Sequence, residues 1–208
     1  MKKFSTILLA GLLFSLTPLC AQDYNSAVGD VGAGNSSGDD VNQHSVGVGI
    51  GETFLVGDFA NQGENSITMD LYYGYSASHS FDVVVNGHYS KHKNADQRKV
   101  VLQGLNFGIK AKFYQFDAFS PYGLAGLGFY RPYATRPVTQ NGQTTMVESE
   151  KKTAFGINLG VGADLRLNRH VEVGVLAHYH NPFDVKQNTG DDTVGSYFKL
   201  LLLVSYVI

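Results

Sequence analysis

Apolar and polar positions alternate along most of this chain, most clearly between Phe155 and His180. Phe155, Ile157, Leu159, Val161, Ala163 and Leu165 interleave with Gly156, Asn158, Gly160, Gly162, Asp164 and Arg166. Alternation of this kind places every apolar side chain on one face of a β-strand. Residues 167–170 break the pattern and contain a turn former, Asn168. It resumes with Val171, Val173, Val175, Ala177 and Tyr179 against Glu172, Gly174, Leu176, His178 and His180. Two strands of about ten residues on a short turn are long for a soluble protein, and suit a tilted bilayer crossing.

The same reading predicts eight strands, over 44–54, 66–75, 81–90, 99–113, 121–130, 155–166, 171–180 and 196–208. In the first, Val46, Val48 and Ile50 alternate with Gly47, Gly49 and Gly51. Glycine weakens a strand, so three on one face imply a narrow interior that needs small residues beside bulky ones. The parity of the fifth strand stays open, because both faces mix Gly with apolar residues. Connections alternate long and short, the longest being 131–151, with Pro132, Pro137 and Asn141-Gly142. Short turns at one end and longer loops at the other are what a membrane barrel of the outer-membrane type shows. The predicted fold is therefore all-β, an eight-stranded antiparallel transmembrane up-and-down β-barrel. Its apolar strand faces meet lipid and its polar faces the lumen. Aromatic residues gather at the strand ends, Phe113, Tyr114, Phe116, Phe119, Tyr122 and Tyr206 at one rim and Tyr89, Tyr130, Tyr133, Tyr179 and Phe183 at the other. Two such girdles suit the two membrane interfaces.

Composition narrows the compartment. The 208 residues carry a net charge of -2, which gives no support for nucleic-acid binding. Lys2, Lys3 and a mostly apolar run over 7–19 read as a signal peptide cleaved after Ala21. Cys20 raises lipid modification, but Leu19 before it is not the small residue that signal wants. Once Cys20 is removed, disulfide and thiol chemistry are excluded. Residues 22–43, rich in Gly, Asp, Ser and Asn, read as a flexible periplasmic leader and 44–208 as the barrel. No later run is apolar enough for a transmembrane helix, so membrane residence requires a closed barrel.

The run Pro121-Tyr122-Gly123-Leu124-Ala125-Gly126-Leu127-Gly128-Phe129-Tyr130-Arg131, the 155–179 hairpin and the last strand resemble small eight-stranded outer-membrane proteins of the OmpW-like and OmpA-like β-barrel domain family. The resemblance implies a bacterial, Gram-negative outer-membrane location, contact with outer-membrane lipid and lipopolysaccharide, and insertion by the barrel-assembly machinery. It implies passive channels, envelope-stabilising proteins or adhesins more than any one activity. Family members end in an aromatic residue, whereas this chain ends in Ile208, with Tyr206 two before it.

Eight strands leave a lumen that side chains fill. Asp82, Lys110, Lys112, Asp164, Arg166 and Glu172 face inward in the periplasmic half and sum to zero charge. They read as a cross-linked polar plug, since unpaired interior charges are costly. Val84, Leu176, Leu201 and Leu203 are inward apolar positions, either packing against the glycine face or lining a narrow passage for small apolar solutes. Lys91, Lys93, Arg98 and Lys99 would meet lipopolysaccharide phosphates at the outer rim. His178 and His180 share a face, but His88 lies four strands away, so four metal ligands are not reached and no cofactor is expected. His88-Tyr89-Ser90 resembles the His-x-Ser pair of lipid A deacylases, yet no acid follows at a convincing spacing and position 103 is Gln. The expected function is a structural or passive envelope protein, competent as a monomer. Surface binding through the outer loops is the alternative, with lipid A modification a third.

Overall fold

The computed structural model describes residues 41–61, 63–93, 99–113, 118–140, 143–148, 152–183 and 195–208. The expected signal peptide with Cys20, the leader up to residue 40, Arg98, Tyr114 and Phe116 lie outside the described residues.

Among the described residues ten strands occur, all in one sheet: β1 (His44–Val56), β2 (Ser66–Ser76), β3 (Phe81–Lys93), β4 (Lys99–Lys112), β5 (Phe119–Tyr130), β6 (Tyr133–Gln140), β7 (Gln143–Glu148), β8 (Ala154–Arg166), β9 (Val171–Pro182) and β10 (Ser196–Val207). Eight of them, all but β6 and β7, pair antiparallel in chain order, and β1 pairs with β10 to close a barrel. Closure is what lets a sheet sit in lipid, since every backbone donor and acceptor in the wall finds a neighbour. These eight strands run 11 to 14 residues, six of them longer than the sequence pattern suggested, while β4 and β10 each end one residue earlier. Both chain ends of the barrel and the short turns lie at one end, the periplasmic end of such barrels.

The turns form as their sequences dictate. Asn168 Oδ1 accepts hydrogen bonds from the amides of His170 at 2.8 Å and Val171 at 2.9 Å, closing the β8–β9 hairpin. Ser78 Oγ does the same for Ser80 and Phe81 between β2 and β3. At the outer end, β1 runs into a one-turn 3-10 helix over Gly57–Asn61, entered through Gly57 at φ 69°, a conformation that favours glycine.

β6 and β7 depart from the loop expected over 131–151 and form a hairpin. After a break at Arg131 and Pro132, β6 takes over from β5 along β4, with Lys99 opposite Thr135 and Val101 opposite Tyr133. β7 then returns along β6. Gln140 is registered with Gln143 at the far end of this hairpin, and Asn141-Gly142 lies outside the described residues. Pro132 and Pro137 masked the β-formers around them, though proline is tolerated at breaks and sheet edges.

The outward faces are apolar and exposed, from Ile50, Leu71 and Phe107 to Val161, Val175 and Leu202. The inward faces carry polar residues and glycine, with apolar side chains such as Val84, Leu176, Leu201 and Leu203 among them. Register settles the open parity of β5: Tyr122 lies beside Lys112 and Gly162, and Tyr130 beside Gly104 and Ala154. Both tyrosines are buried in the lumen, so they do not belong to the rim girdles expected of them. Phe113, Phe119 and Tyr206 do stand exposed at the periplasmic rim, and Tyr89, Tyr179 and Phe183 at the outer one.

Candidate functional site in the barrel lumen

The lumen is built in layers. At the periplasmic end sit the six charged residues of alternating inward positions. Lys112 Nζ lies 2.9 Å from Asp82, Lys110 Nζ lies 3.7 Å from Asp82 and contacts Asp164, and Arg166 Nε lies 3.2 Å from Glu172. Neighbouring strands produce these pairs directly, since Asp82 is registered with Lys110 and Arg166 with Glu172. Lys110 also rests 4.3 Å from the ring centre of Tyr122, a favourable cation–π placement. These groups, with Val84, Leu176 and Leu203, border a cavity of about 60 Å³. That volume holds about four waters, far from a channel for solutes.

Above it comes an apolar layer. Leu176, Leu201 and Leu203 pack on Tyr122 and Tyr72. Leu203 reaches across Gly49, where a Cβ would stand 2.7 Å from its Cδ2. The glycine face of β1 therefore makes room for the leucines of β10, with Gly49 registered to Leu203 and Gly51 to Leu201.

The next layer holds a pair that the sequence reading left out. Lys199 Nζ lies 2.8 and 3.0 Å from the two oxygens of Asp70, and both side chains are fully buried. Asp70 also accepts from Thr68 at 3.1 Å, Asn86 at 3.3 Å and Tyr72 at 3.4 Å. A carboxylate with this many donors is stable without water. Asp70 shares its parity on β2 with Thr68 and Tyr72. Lys199 shares its parity with Leu201 and Leu203, and that was the signal available for finding it.

Alongside lies a cluster of three imidazoles. The ring centres of His178 and His180 are 4.0 Å apart, and those of His88 and His180 are 4.9 Å apart. Sequence order placed His88 four strands from the other two. Across so narrow a lumen, order around the wall is no guide to distance. His88 lies 3.2 Å from Asn106 and 2.7 Å from the Tyr197 hydroxyl, so both its nitrogens are engaged. His178 donates to Asn158 Oδ1 at 3.1 Å, and His180 lies 3.2 Å from the Tyr130 hydroxyl. Among the described residues no group of three or more His, Cys, Asp or Glu is arranged to hold a metal ion.

The outer end is capped. Phe59, carried by the 3-10 turn, is fully buried among Leu55, Val100, Leu102, Tyr130, Ala154 and Tyr197. The cap is tied to the wall through His92, which donates from Nδ1 to the Glu64 carbonyl at 2.8 Å and accepts at Nε2 from the Ser90 hydroxyl at 2.9 Å. Ser90 is thus bonded to His92 and not, as its spacing suggested, to His88. Both partners are buried. Outside the barrel, Lys91 and Lys93 project from β3, and Lys93 stands opposite Lys99 in register.

A closed antiparallel barrel of eight long strands, apolar outside and filled with paired polar groups inside, defines an integral membrane protein of the outer-membrane type. The chain belongs to the family described as outer membrane protein beta-barrel domain, which matches residues 6–200. Solved structures of the same fold include Neisserial surface protein A (NspA), at 15% identity and a TM-score of 0.55, with 79% of this chain and 95% of that one covered. Ail, the attachment invasion locus protein of Yersinia pestis, aligns at 12% identity and a TM-score of 0.52, covering 81% and 99%. The outer membrane protein OprG from Pseudomonas aeruginosa aligns at 10% identity and 0.51, covering 81% and 97%. No curated protein matches the sequence.

Proposed function

We propose that this outer-membrane barrel is a sealed structural element of the envelope, closed to solutes at neutral pH. The observation that carries the reading is the wholly buried Lys199–Asp70 pair, locked by both carboxylate oxygens in the middle of the lumen. An open aqueous lumen would wet it. The leucine and tyrosine layer below and the Phe59 cap above support the same reading, and they favour packing over an apolar passage for Val84, Leu176, Leu201 and Leu203. Purified protein in planar bilayers at neutral pH should give no conductance steps, and multi-nanosiemens steps would overturn the proposal. The role is non-enzymatic, because the Ser90 hydroxyl is shut inside, away from any lipid carbonyl. Deacylation of lipid A by the purified protein would count against this. The export expected of it is tested by N-terminal sequencing of the mature chain, which should begin at Gln22. The barrel-assembly machinery would read the last strand, with Tyr206 facing lipid; deleting residues 206–208 should leave the chain unassembled.

A second reading concerns the outer rim. Lys93 and Lys99 are direct cross-strand neighbours, with Lys91 on the same face of β3. Like charges placed opposite each other destabilise a strand pair unless an anion lies between them. The anion that fits this height is the phosphate of outer-leaflet lipopolysaccharide, bound by lysine as a point charge. Lys93→Ala/Lys99→Ala should lose salt-sensitive binding to lipopolysaccharide vesicles while the barrel still folds. Equal binding to dephosphorylated lipid would remove the phosphate from the account.

A further inference from the structure

The imidazole layer has a property beyond sealing. His178 donates its Nε2 proton to Asn158, so its Nδ1 carries a lone pair, and that buried atom has no partner. The Tyr130 hydroxyl donates to the Ile157 carbonyl at 3.4 Å and so accepts from Nδ1 of His180, whose Nε2 is likewise buried, with a lone pair and no partner. His88 receives an amide proton from Asn106 at Nδ1, which leaves its own proton on Nε2 facing the Tyr197 oxygen. The layer is thus assembled from neutral rings, two of which keep an unoccupied basic nitrogen. Each is a place for a proton to land, and among the described residues of this layer no carboxylate is free to answer the resulting charge.

The surrounding groups make this plain. β2 contributes Asp70 and Tyr72, β3 contributes His88 and, nearer the rim, His92, β5 contributes Tyr130, and β10 contributes Tyr197 and Lys199. β1, β4 and β8 supply only the neutral Thr53, Asn106 and Asn158. Asp70 is the one carboxylate of the layer among the described residues, and Lys199 holds both its oxygens. Lys199 is also the direct cross-strand neighbour of His178. Protons on His178 and His180 would set three cations side by side around a single engaged carboxylate.

The Phe59 cap is adjacent. His180 stacks on Tyr197, with ring centres 4.8 Å apart and planes at 16°, and Tyr130 meets both rings edge-on. Tyr130 and Tyr197 are also the floor on which Phe59 sits. Phe59 sits on the 3-10 segment that follows β1 directly, and just beyond it His92 donates to the Glu64 carbonyl and the Glu64 amide donates to the Lys93 carbonyl. Charging the rings beneath draws water into the layer and displaces this floor and its cap.

We propose that the His88, His178 and His180 layer is an acid switch, which at low pH releases the Phe59 cap and opens the outer half of the lumen to water and small ions. This goes beyond the sealed barrel at neutral pH and needs it only as the resting state.

The test is fluorescence of Phe59→Trp, the single Trp of its chain, in purified mature protein in lipid vesicles cycled between about pH 7.5 and about pH 3. Carboxylates titrate in the lower part of that range, so the histidine variants are what assign the response to the imidazoles. Emission should be blue-shifted and shielded from acrylamide at the higher pH, red-shifted and quenched at the lower, and restored on return. His178→Gln/His180→Gln in the same chain should stay shielded at both, and His88→Gln alone should weaken the acid response, which keeps the proposal testable if the double variant does not fold. Shielding at both pH values, or an unchanged acid response in the histidine variants, overturns the switch. Exposure to acrylamide at the higher pH would instead overturn the sealed resting state.

Discussion

Lys199 on β10 and Asp70 on β2 bind each other through both carboxylate oxygens, at 2.8 and 3.0 Å, with neither side chain reaching solvent. The strand between them, β1, supplies glycine at the positions that would otherwise stand in the way, Gly49 being registered to Asp70 and Gly51 to Leu201.

Breaking that pair leaves a charge with no water and no partner. Lys199→Met or Asp70→Asn alone should destabilise the barrel by about 3–5 kcal/mol. Lys199→Met/Asp70→Leu should recover much of the loss, since replacing both partners by apolar groups removes the desolvation cost. Urea unfolding in lipid vesicles, followed by tyrosine fluorescence, measures all three. Equal destabilisation in the single and double variants would mean the pair is not coupled.

The periplasmic ion pairs should not be equivalent. Asp82 engages both Lys110 and Lys112 at half-enclosed positions, whereas Arg166 and Glu172 are more open to water. Asp82→Asn should cost about 1–3 kcal/mol, because it leaves two enclosed lysines without their shared countercharge. Glu172→Gln should cost under about 1 kcal/mol, the range of exposed pairs, and its effect should shrink further in high salt. The same unfolding measurement ranks them.

Gly49 and Leu203 test the packing of the lumen. Gly49→Val should overpack the layer and cost about 1–3 kcal/mol. Leu203→Ala in the same chain should relieve it, so the double variant should be more stable than the sum of the singles. Additive losses would show that the two positions do not share space.

The lipid face is tested at Val161, exposed on the outer surface of β8. Val161→Arg should cost about 2–4 kcal/mol at the bilayer midplane and impair insertion. Normal folding yield into vesicles would mean that this face does not meet hydrocarbon. Gly162→Arg, one residue on, should fail for a different reason, because a side chain there strikes the Tyr122 ring and hydroxyl, and its failure should persist in detergent.

Much of the barrel was legible one strand at a time. Period-two alternation needs only nearest neighbours, so it revealed which residues of β8 and β9 face lipid. It also revealed that Asp82, Lys110, Lys112, Asp164, Arg166 and Glu172 face inward. It failed at β5, where glycine fills both faces and removes the contrast. In 131–151, prolines and polar residues hid a hairpin that only its pairing to β4 makes evident. Neighbouring strands gave Arg166 its partner, because one short turn fixes that register.

What the amino-acid sequence determined by itself was the wall: strand content, the two faces of each strand, the alternation of turns and loops, and hence a membrane barrel. Only the tertiary structure decided the contents of the lumen. His88 against His180, Lys199 against Asp70 and Phe59 under the outer rim are contacts across the barrel or through a folded loop. They depend on closure, shear and the room glycines leave, and these are properties of all eight strands together, not of any local pattern.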